Sequence, residues 1–279
     1  SYVPLDPPNR KAIPVEKPED VIGTPYIPCD LDRLVAVVPC DITDKVRPLG
    51  EIDEDAQKMG KNLVEFFKSE VAAGRLPANL LPLQSGVGSV ANAVINGLVN
   101  SDFEDLTVYT EVIQDGMFDL IDAGKLRVCS GTALSPSPDC LKKFYDNVEK
   151  YKKYIILRPQ EVANSPEVAR RIGVIAMNTA IEVDIYGNVN STHICGTKIM
   201  NGIGGSGDYA RNGYLTVFFT TSLAKGGAIS SVVPFCSHVD HTEHDVDVIV
   251  SERGVADLRG LSPKERALVI IDKVANPKY

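Results

Sequence analysis

The chain has 279 residues, 44% of them hydrophobic and 24% charged, and 29 Lys plus Arg against 37 Asp plus Glu give a formal net charge of −8. That composition supplies one large core or two modest ones, and it excludes a disordered chain, a collagen-like repeat and a disulfide miniprotein. The acidic balance argues against nucleic acid as the main partner, although local basic spots could hold a phosphorylated ligand, and no apolar run approaches the ~20 residues of a membrane-spanning helix.

Seven of the first 28 residues are Pro, so residues 1–30 are expected to run extended as a leader from an upstream domain. Leu34–Val38 is predicted as a strand, and Asp53–Ala73 as a long helix with Leu63, Phe66, Phe67 and Val71 on one face, stopped by Gly74. Leu80–Gln84, Leu106–Val112, Leu126–Cys129 and Tyr154–Leu157 read as strands, with helices over Ser89–Val99 and Asp115–Ala123. Ser165-Pro166 opens another helix. Val174–Ile185, the turn Tyr186-Gly187-Asn188 and Val189–Ile194 read as a β-hairpin, followed by strands at 215–220, 229–233 and 246–250. A last helix starts at Ser262-Pro263, with Glu265 completing a capping box. This alternation of short apolar runs with amphipathic stretches indicates an α/β fold, an open mixed sheet flanked by helices. The six cysteines form no CxxC and fit no zinc ribbon, so buried free thiols of a reducing, cytoplasmic compartment (mitochondrial in a eukaryote) are expected.

Four segments could carry chemistry. In Gln84-Ser85-Gly86-Val87-Gly88-Ser89-Val90-Ala91 a strand runs through a Gly-Val-Gly turn into a helix, where bare backbone and a helix N-terminus can meet a ligand. It also fits GxGxxA, a dinucleotide fingerprint, and equally a plain tight turn. Glu111 lies in or at the end of an apolar strand with no Lys or Arg within ten residues. A buried carboxylate there is either paired with a distant Arg or reactive at a strand's carboxyl end. Asn201-Gly202-Ile203-Gly204-Gly205-Ser206-Gly207-Asp208 is too glycine-rich for a regular element. Asp208 would repel a pyrophosphate, so an oxyanion-binding loop or a flexible loop is the better reading. Ser237–Asp245 holds three of the four histidines; it is the best metal candidate by residue type, yet its spacing favours a polar hydrogen-bonded turn. Arg158–Asn164 and Ser251–Gly260 are polar strand-end or loop segments that read as structural when taken singly.

The segments LQSGVGSVANAV, YTEVIQDGM, LRPQEVANSPEVARR, DIYGNVNSTHICGTKIMNGIGGSGDYARN, SHVDHTEHDV and ERGVADLRGLSPKERA, in this order, resemble the class I CoA-transferases, in the acetyl-CoA hydrolase/transferase branch that includes succinyl-CoA:acetate CoA-transferases. The resemblance runs from Pro4 to Tyr279, and GIGGSGD and ADLRG are its most specific parts. It implies a CoA-transferase-like catalytic domain over 31–279, preceded in the complete protein by an N-terminal domain. It places Glu111 on the nucleophilic glutamate and Gly86, Val87, Gly88, Ser89 and Val90 on a CoA-binding turn. Val87 and Gly205 would supply oxyanion-binding N–H groups, and Asn201, Lys225 and Ile181 would contact CoA. Asn164 would touch the glutamyl thioester carbonyl, with Glu252 as an auxiliary acid. Ala163 stands where the family usually has Ser, and Ser251-Glu252-Arg253 where it has Thr-Glu-Gln.

The implied chemistry is CoA exchange between an acyl-CoA and a short carboxylate through a covalent glutamyl-CoA thioester. It needs no metal and no tightly bound cofactor, and CoA enters as part of the substrate. A homodimer and no membrane partner are expected. Acetyl-CoA hydrolysis, an NAD-dependent oxidoreductase using Gly86 and Gly88, and a non-catalytic CoA-binding fragment are the alternatives.

Overall fold

A computed structural model describes residues 1–42 and 52–279. Eight strands form one sheet: β1 (Leu83–Ser85), β2 (Leu106–Tyr109), β3 (Leu126–Gly131), β4 (Ile155–Leu157), β5 (Ile175–Thr179), β6 (Leu215–Phe219), β7 (Val248–Ser251) and β8 (Gly254–Asp257). Their order across the sheet is β8-β7-β6-β5-β1-β2-β3-β4. All neighbours are parallel except the β7–β8 hairpin, so the sheet is mixed as expected. Parallel strands are covered on both faces, and side-chain alternation decides which core each residue joins. Ile175, Met177, Val217, Phe219, Val248 and Val250 enter one cluster with the helices α1 (Glu54–Ala72), α2 (Ser89–Val99) and α3 (Asp115–Asp122). The intervening Ala176, Phe218 and Ile249 join clusters on the opposite face.

Helix ends follow the sequence cues. Asp53 caps α1 by accepting from Ala56 N at 2.8 Å, and the chain turns out of the helix through Gly74 at φ +70°. The helices α4 (Pro138–Asp146) and α5 (Val148–Tyr151) follow β3, and α6 (Gln160–Ala163) and α7 (Pro166–Ile172) lie between β4 and β5. The five-residue α8 (Ser206–Ala210) precedes β6, and α9 (Pro263–Lys273) starts on the Ser262–Glu265 capping box.

Four expectations are corrected. Leu34–Val38 is no strand: it follows a short 3-10 turn, and Val35 is 98% exposed, so an apolar run with no neighbouring edge stays unpaired. The long hairpin is broken at Ala180-Ile181. Residues 175–179 enter the main sheet, while Glu182–Asp184 pairs antiparallel with Val189–Asn190 and parallel with Val232–Val233 in a separate small sheet. Strand 229–233 is likewise divided between two small sheets, because the chain bends at Ser231 between them. The cysteines are all free, but Cys29, Cys40 and Cys195 are exposed, so only Cys129 and Cys140 are buried thiols.

Residues 1–30 contain no helix or strand. Ile13 and Val15 are buried against β2, α6 and α7, and the buried Arg158 donates to the carbonyls of Pro18 and Asp20, tying this segment to the end of β4.

Candidate active site

From β1 the chain builds β2, β3 and β4 on one side, then returns to lay β5, β6 and β7 on the other. The β1/β5 boundary is therefore a topological switch point, where an open α/β sheet leaves a crevice at its carboxyl edge. A cleft of about 260 Å³ lies there, lined by Ser85–Val87 after β1, Asn178 and Thr179 of β5, Glu111 after β2, and Asn201–Ser206. Its floor is a reciprocal amide pair. Gln84 Nε2 donates to Asn178 Oδ1 at 3.1 Å and Asn178 Nδ2 to Gln84 Oε1 at 3.0 Å, both side chains buried between adjacent strands.

Glu111 is half-buried, less enclosed than the sequence suggests, because β2 stops at Tyr109 and the chain steps out toward the cleft. Its carbonyl accepts from Thr132 N at 2.8 Å and Ala133 N at 3.2 Å, which fixes the backbone under the side chain. The carboxylate's partner is an amide rather than an arginine: Asn164 Nδ2 donates to Glu111 Oε2 at 2.8 Å. Two buried tyrosines hold that amide in place. Tyr109 Oη donates to the Val162 carbonyl and Tyr209 Oη to the Ala163 carbonyl, each at 2.6 Å, immediately before Asn164. Burial pushes the Tyr109 hydroxyl up to about 12, so it stays a donor. Asn164 is only 7% exposed, and its Oδ1 has no partner. An orphaned acceptor of this kind costs about 1–3 kcal/mol, and a ligand donor in the cleft would offset it.

Gly205 closes on the same carboxylate. A Cβ built there would overlap Glu111 Oε2 and Asn164 Nδ2, so only glycine permits this approach. Asp208, one turn further, is held above the usual carboxylate range by burial and by the neighbouring Glu111 charge, while the Asn164 amide pulls the other way. The glycine-rich segment is not wholly a loop: from Ser206 it winds into α8, with Gly207 inside the helix. Across the cleft, Gly86 N–H bonds to the Met177 carbonyl at 2.8 Å. Gln114 then clamps the turn, accepting from Gly88 N at 3.1 Å and donating to Gly86 O at 3.0 Å. Among the described residues no protein acceptor meets Val87 N–H or Gly205 N–H.

The structure thus brings together Glu111, Asn164, Gly86, Val87, Asn201 and Gly205. Gly88 and Ser89 form the N-terminal end of α2, and Val90 packs into the core. Ile181, Lys225 and Glu252 are not among the lining residues. Lys225 is exposed at the tip of a two-stranded hairpin. The Glu252 carboxylate accepts from Ser222 N at 2.8 Å and from Ser222 Oγ, bracing a loop after β6. Gln84, Gln114, Asn178, Ser191 and Ser206 were given no role of their own from sequence. A glutamine and an asparagine inside otherwise apolar strands were the available signal, since a polar pair is buried there only when its hydrogen bonds are met. The histidine segment is a hydrogen-bonded turn: His238 stacks on His193 with ring centres 3.8 Å apart, and His241 is buried. Among the described residues no group of three His, Cys, Asp or Glu is placed to hold a metal, and no helix is long and apolar enough to cross a membrane.

Comparison with known proteins gives matches along the chain. A family model for the acetyl-CoA hydrolase/transferase C-terminal domain matches residues 141–279. The succinyl-CoA:acetate CoA-transferase of Clostridium kluyveri is 57% identical over 278 residues, 100% of this chain and 52% of that protein. The acetyl-CoA hydrolase of Neurospora crassa is 49% identical over 277 residues, 98% of this chain and 53% of that protein. The crystal structure of RipA from Yersinia pestis superposes with a TM-score of 0.69 at 25% identity, over 85% of this chain and 52% of that one. The chain spans about half the length of the curated relatives it matches.

Proposed function

The chain belongs to the acetyl-CoA hydrolase/transferase family, matching its C-terminal part, and from that premise we propose that Glu111 is the nucleophile of an acyl-CoA:carboxylate CoA-transferase. The observation that carries the reading is the carboxylate of Glu111, held by Asn164 against Gly205 in a cleft at the sheet's switch point.

Glu111 attacks the thioester carbonyl carbon; the C–S bond breaks, CoA thiolate leaves and an acyl-glutamyl anhydride forms. The thiolate then attacks the glutamyl carbonyl and expels the first carboxylate, leaving a glutamyl-CoA thioester. A second carboxylate reverses the sequence. Every nucleophile and leaving group is already an anion, so no step needs a proton. This suits a cleft whose lining residues include no His, Lys or Arg among those described. Each tetrahedral oxyanion would lie between Val87 N–H and Gly205 N–H, where fixed dipoles stabilise charge as it develops. A partly desolvated carboxylate beside a positioned thioester supplies the nucleophilicity that a solvated one lacks.

Hydrolysis uses the same adduct with water as acceptor, and the Neurospora relative is named for it; the ratio of the two activities follows from water access. The dinucleotide reading is disfavoured because Gly86 N–H and Gly88 N–H are already bonded within the protein, leaving one turn N–H for a pyrophosphate. The test is intact mass spectrometry of the complete polypeptide after incubation with acetyl-CoA or succinyl-CoA. A CoA adduct on the peptide containing Glu111, lost in Glu111→Ala, is expected. Turnover surviving in Glu111→Ala, or an adduct elsewhere, overturns the assignment.

A further inference from the structure

The histidine-bearing segment Ser237–Asp245 has no part in the mechanism above, yet it forms the back support of the cleft. Asp240 Oδ2 accepts from Ser191 N at 2.8 Å, and Thr192 Oγ1 donates to the Asp240 carboxylate at 2.8 Å. Ser191 O in turn accepts from Asn201 Nδ2 at 3.1 Å, so Asp240 holds the Ser191–Thr192 backbone on which Asn201 rests. The next residue reaches the far end of the same glycine-rich segment. His241 Nε2 lies 3.1 Å from Ser206 Oγ, one residue from Gly205.

The shorter of the two contacts assigns the direction. The Ser206 hydroxyl has one proton, assigned to the Ile203 carbonyl at 2.8 Å rather than to the ring nitrogen at 3.1 Å. In that assignment the oxygen accepts from His241 as the Nε2–H tautomer. The ring is only 3% exposed and sits 4.8 Å from the Phe218 ring, with Asp240 and Asp245 as the charged groups acting on it. Burial holds its pKa below the usual histidine range, consistent with a neutral donor. Its backbone is pinned at both ends, His241 N donating to Val189 O at 3.1 Å and His241 O accepting from Val189 N at 2.8 Å. A pinned donor thus grips the one side chain that follows the Gly205 N–H, while Asn201–Gly204 remain exposed.

We propose that His241 is a positioning residue: through Ser206 it sets the Gly204–Gly205–Ser206 backbone at the distance from Glu111 that the reaction requires. This rests on the reading of Glu111 as nucleophile and of Gly205 N–H as an oxyanion donor. The test compares four variants of the complete polypeptide by steady-state kinetics. His241→Phe keeps the aromatic packing on Phe218 and removes the donor; His241→Gln keeps an N–H near the Nε2 position; Ser206→Ala removes the acceptor; the fourth combines Ser206→Ala with His241→Phe. His241→Phe and Ser206→Ala are expected to lower kcat by about 10- to 100-fold, the scale of a sub-ångström to ångström misplacement, with KM for the acyl-CoA little changed. His241→Gln recovers most of the loss, and the double variant is no worse than the poorer single one. Wild-type kcat in His241→Phe, no recovery in His241→Gln, or additive losses overturns the proposal. If His241→Phe does not fold, wild-type kcat in Ser206→Ala overturns it and a selective kcat loss supports it. Glu111→Ala in the same assay separates the two readings: turnover there sinks the nucleophile, whereas full kcat in His241→Phe beside an inactive Glu111→Ala sinks only the positioning role.

Discussion

The two sequence motifs that carry the family resemblance most specifically lie in unlike surroundings. GIGGSGD forms a cleft wall in which Gly205 meets the side-chain tips of Glu111 and Asn164. ADLRG forms a corner between β8 and α1. Arg259 grips Asp257 with Nε and Nη2 at 2.8 and 2.7 Å, reaches Glu70 Oε2 with Nη1 at 2.9 Å, and lies over the Phe66 ring. Glu70 is 1% exposed and takes two further bonds from Arg75 at 2.6 and 2.9 Å. The first motif is built so that a perturbation displaces the proposed nucleophile; the second so that a perturbation weakens the hold on a buried charge. Activity and stability should therefore separate between them.

The largest effect is expected at Gly205→Ala. The added methyl group meets the far ends of two side chains rather than backbone, so the fold accommodates it by moving Glu111 and Asn164. Turnover is expected to fall by about a thousandfold or more, since both the proposed nucleophile and a proposed oxyanion donor are displaced, while the thermal midpoint stays near wild type. A matched loss of midpoint would erase the distinction between the two motifs. Arg259→Met is the converse. Glu70 keeps its two bonds from Arg75 while one bond to it and two to Asp257 are lost, which costs about 1–3 kcal/mol in urea unfolding, with kcat unchanged at a temperature where the variant is folded. A kcat loss in the folded variant would show that the corner communicates with the cleft.

Sequence reasoning reached the mixed sheet of an α/β fold and the helix caps because these depend on local pattern. Ser165, Ser262 and Gly74 act within a few residues of themselves, and Glu111 was conspicuous as a charge among Leu106, Val108, Val112 and Ile113. What it missed depends on residues far apart in sequence. Leu34–Val38 has strand composition, but a strand also needs an adjacent edge, which no local pattern reports. Gln114 matters because its amide spans Gly86 and Gly88, 28 and 26 residues earlier. Glu70 and Arg259 meet across 189 residues, so ADLRG was distinctive as a string while its task stayed hidden. Resemblance assigned Glu252 a role beside the reaction, whereas its observed bonds are to the Ser222 loop.

The same corner gives a prediction in pH. Hydrogen bonds from Arg75, and then from Arg259, lower the Glu70 carboxyl from 4.5 to about 2 against the opposing effect of burial. A carboxyl depressed in the folded state binds fewer protons there than in the unfolded chain, so its stabilisation is complete above pH 4.5 and is lost as pH falls toward 2. A difference of that size corresponds to about 3 kcal/mol. Urea unfolding followed from pH 6 to pH 2 should therefore show an acid limb that is shallower in Glu70→Gln, which has no carboxyl to titrate and starts from lower stability. Equal slopes in the two proteins would mean that the arginines hold Glu70 no better when folded than water does when unfolded. Turnover near neutral pH should be unaffected by Glu70→Gln at a permissive temperature, because the charge it removes lies at the α1–β8 corner and not among the residues lining the cleft.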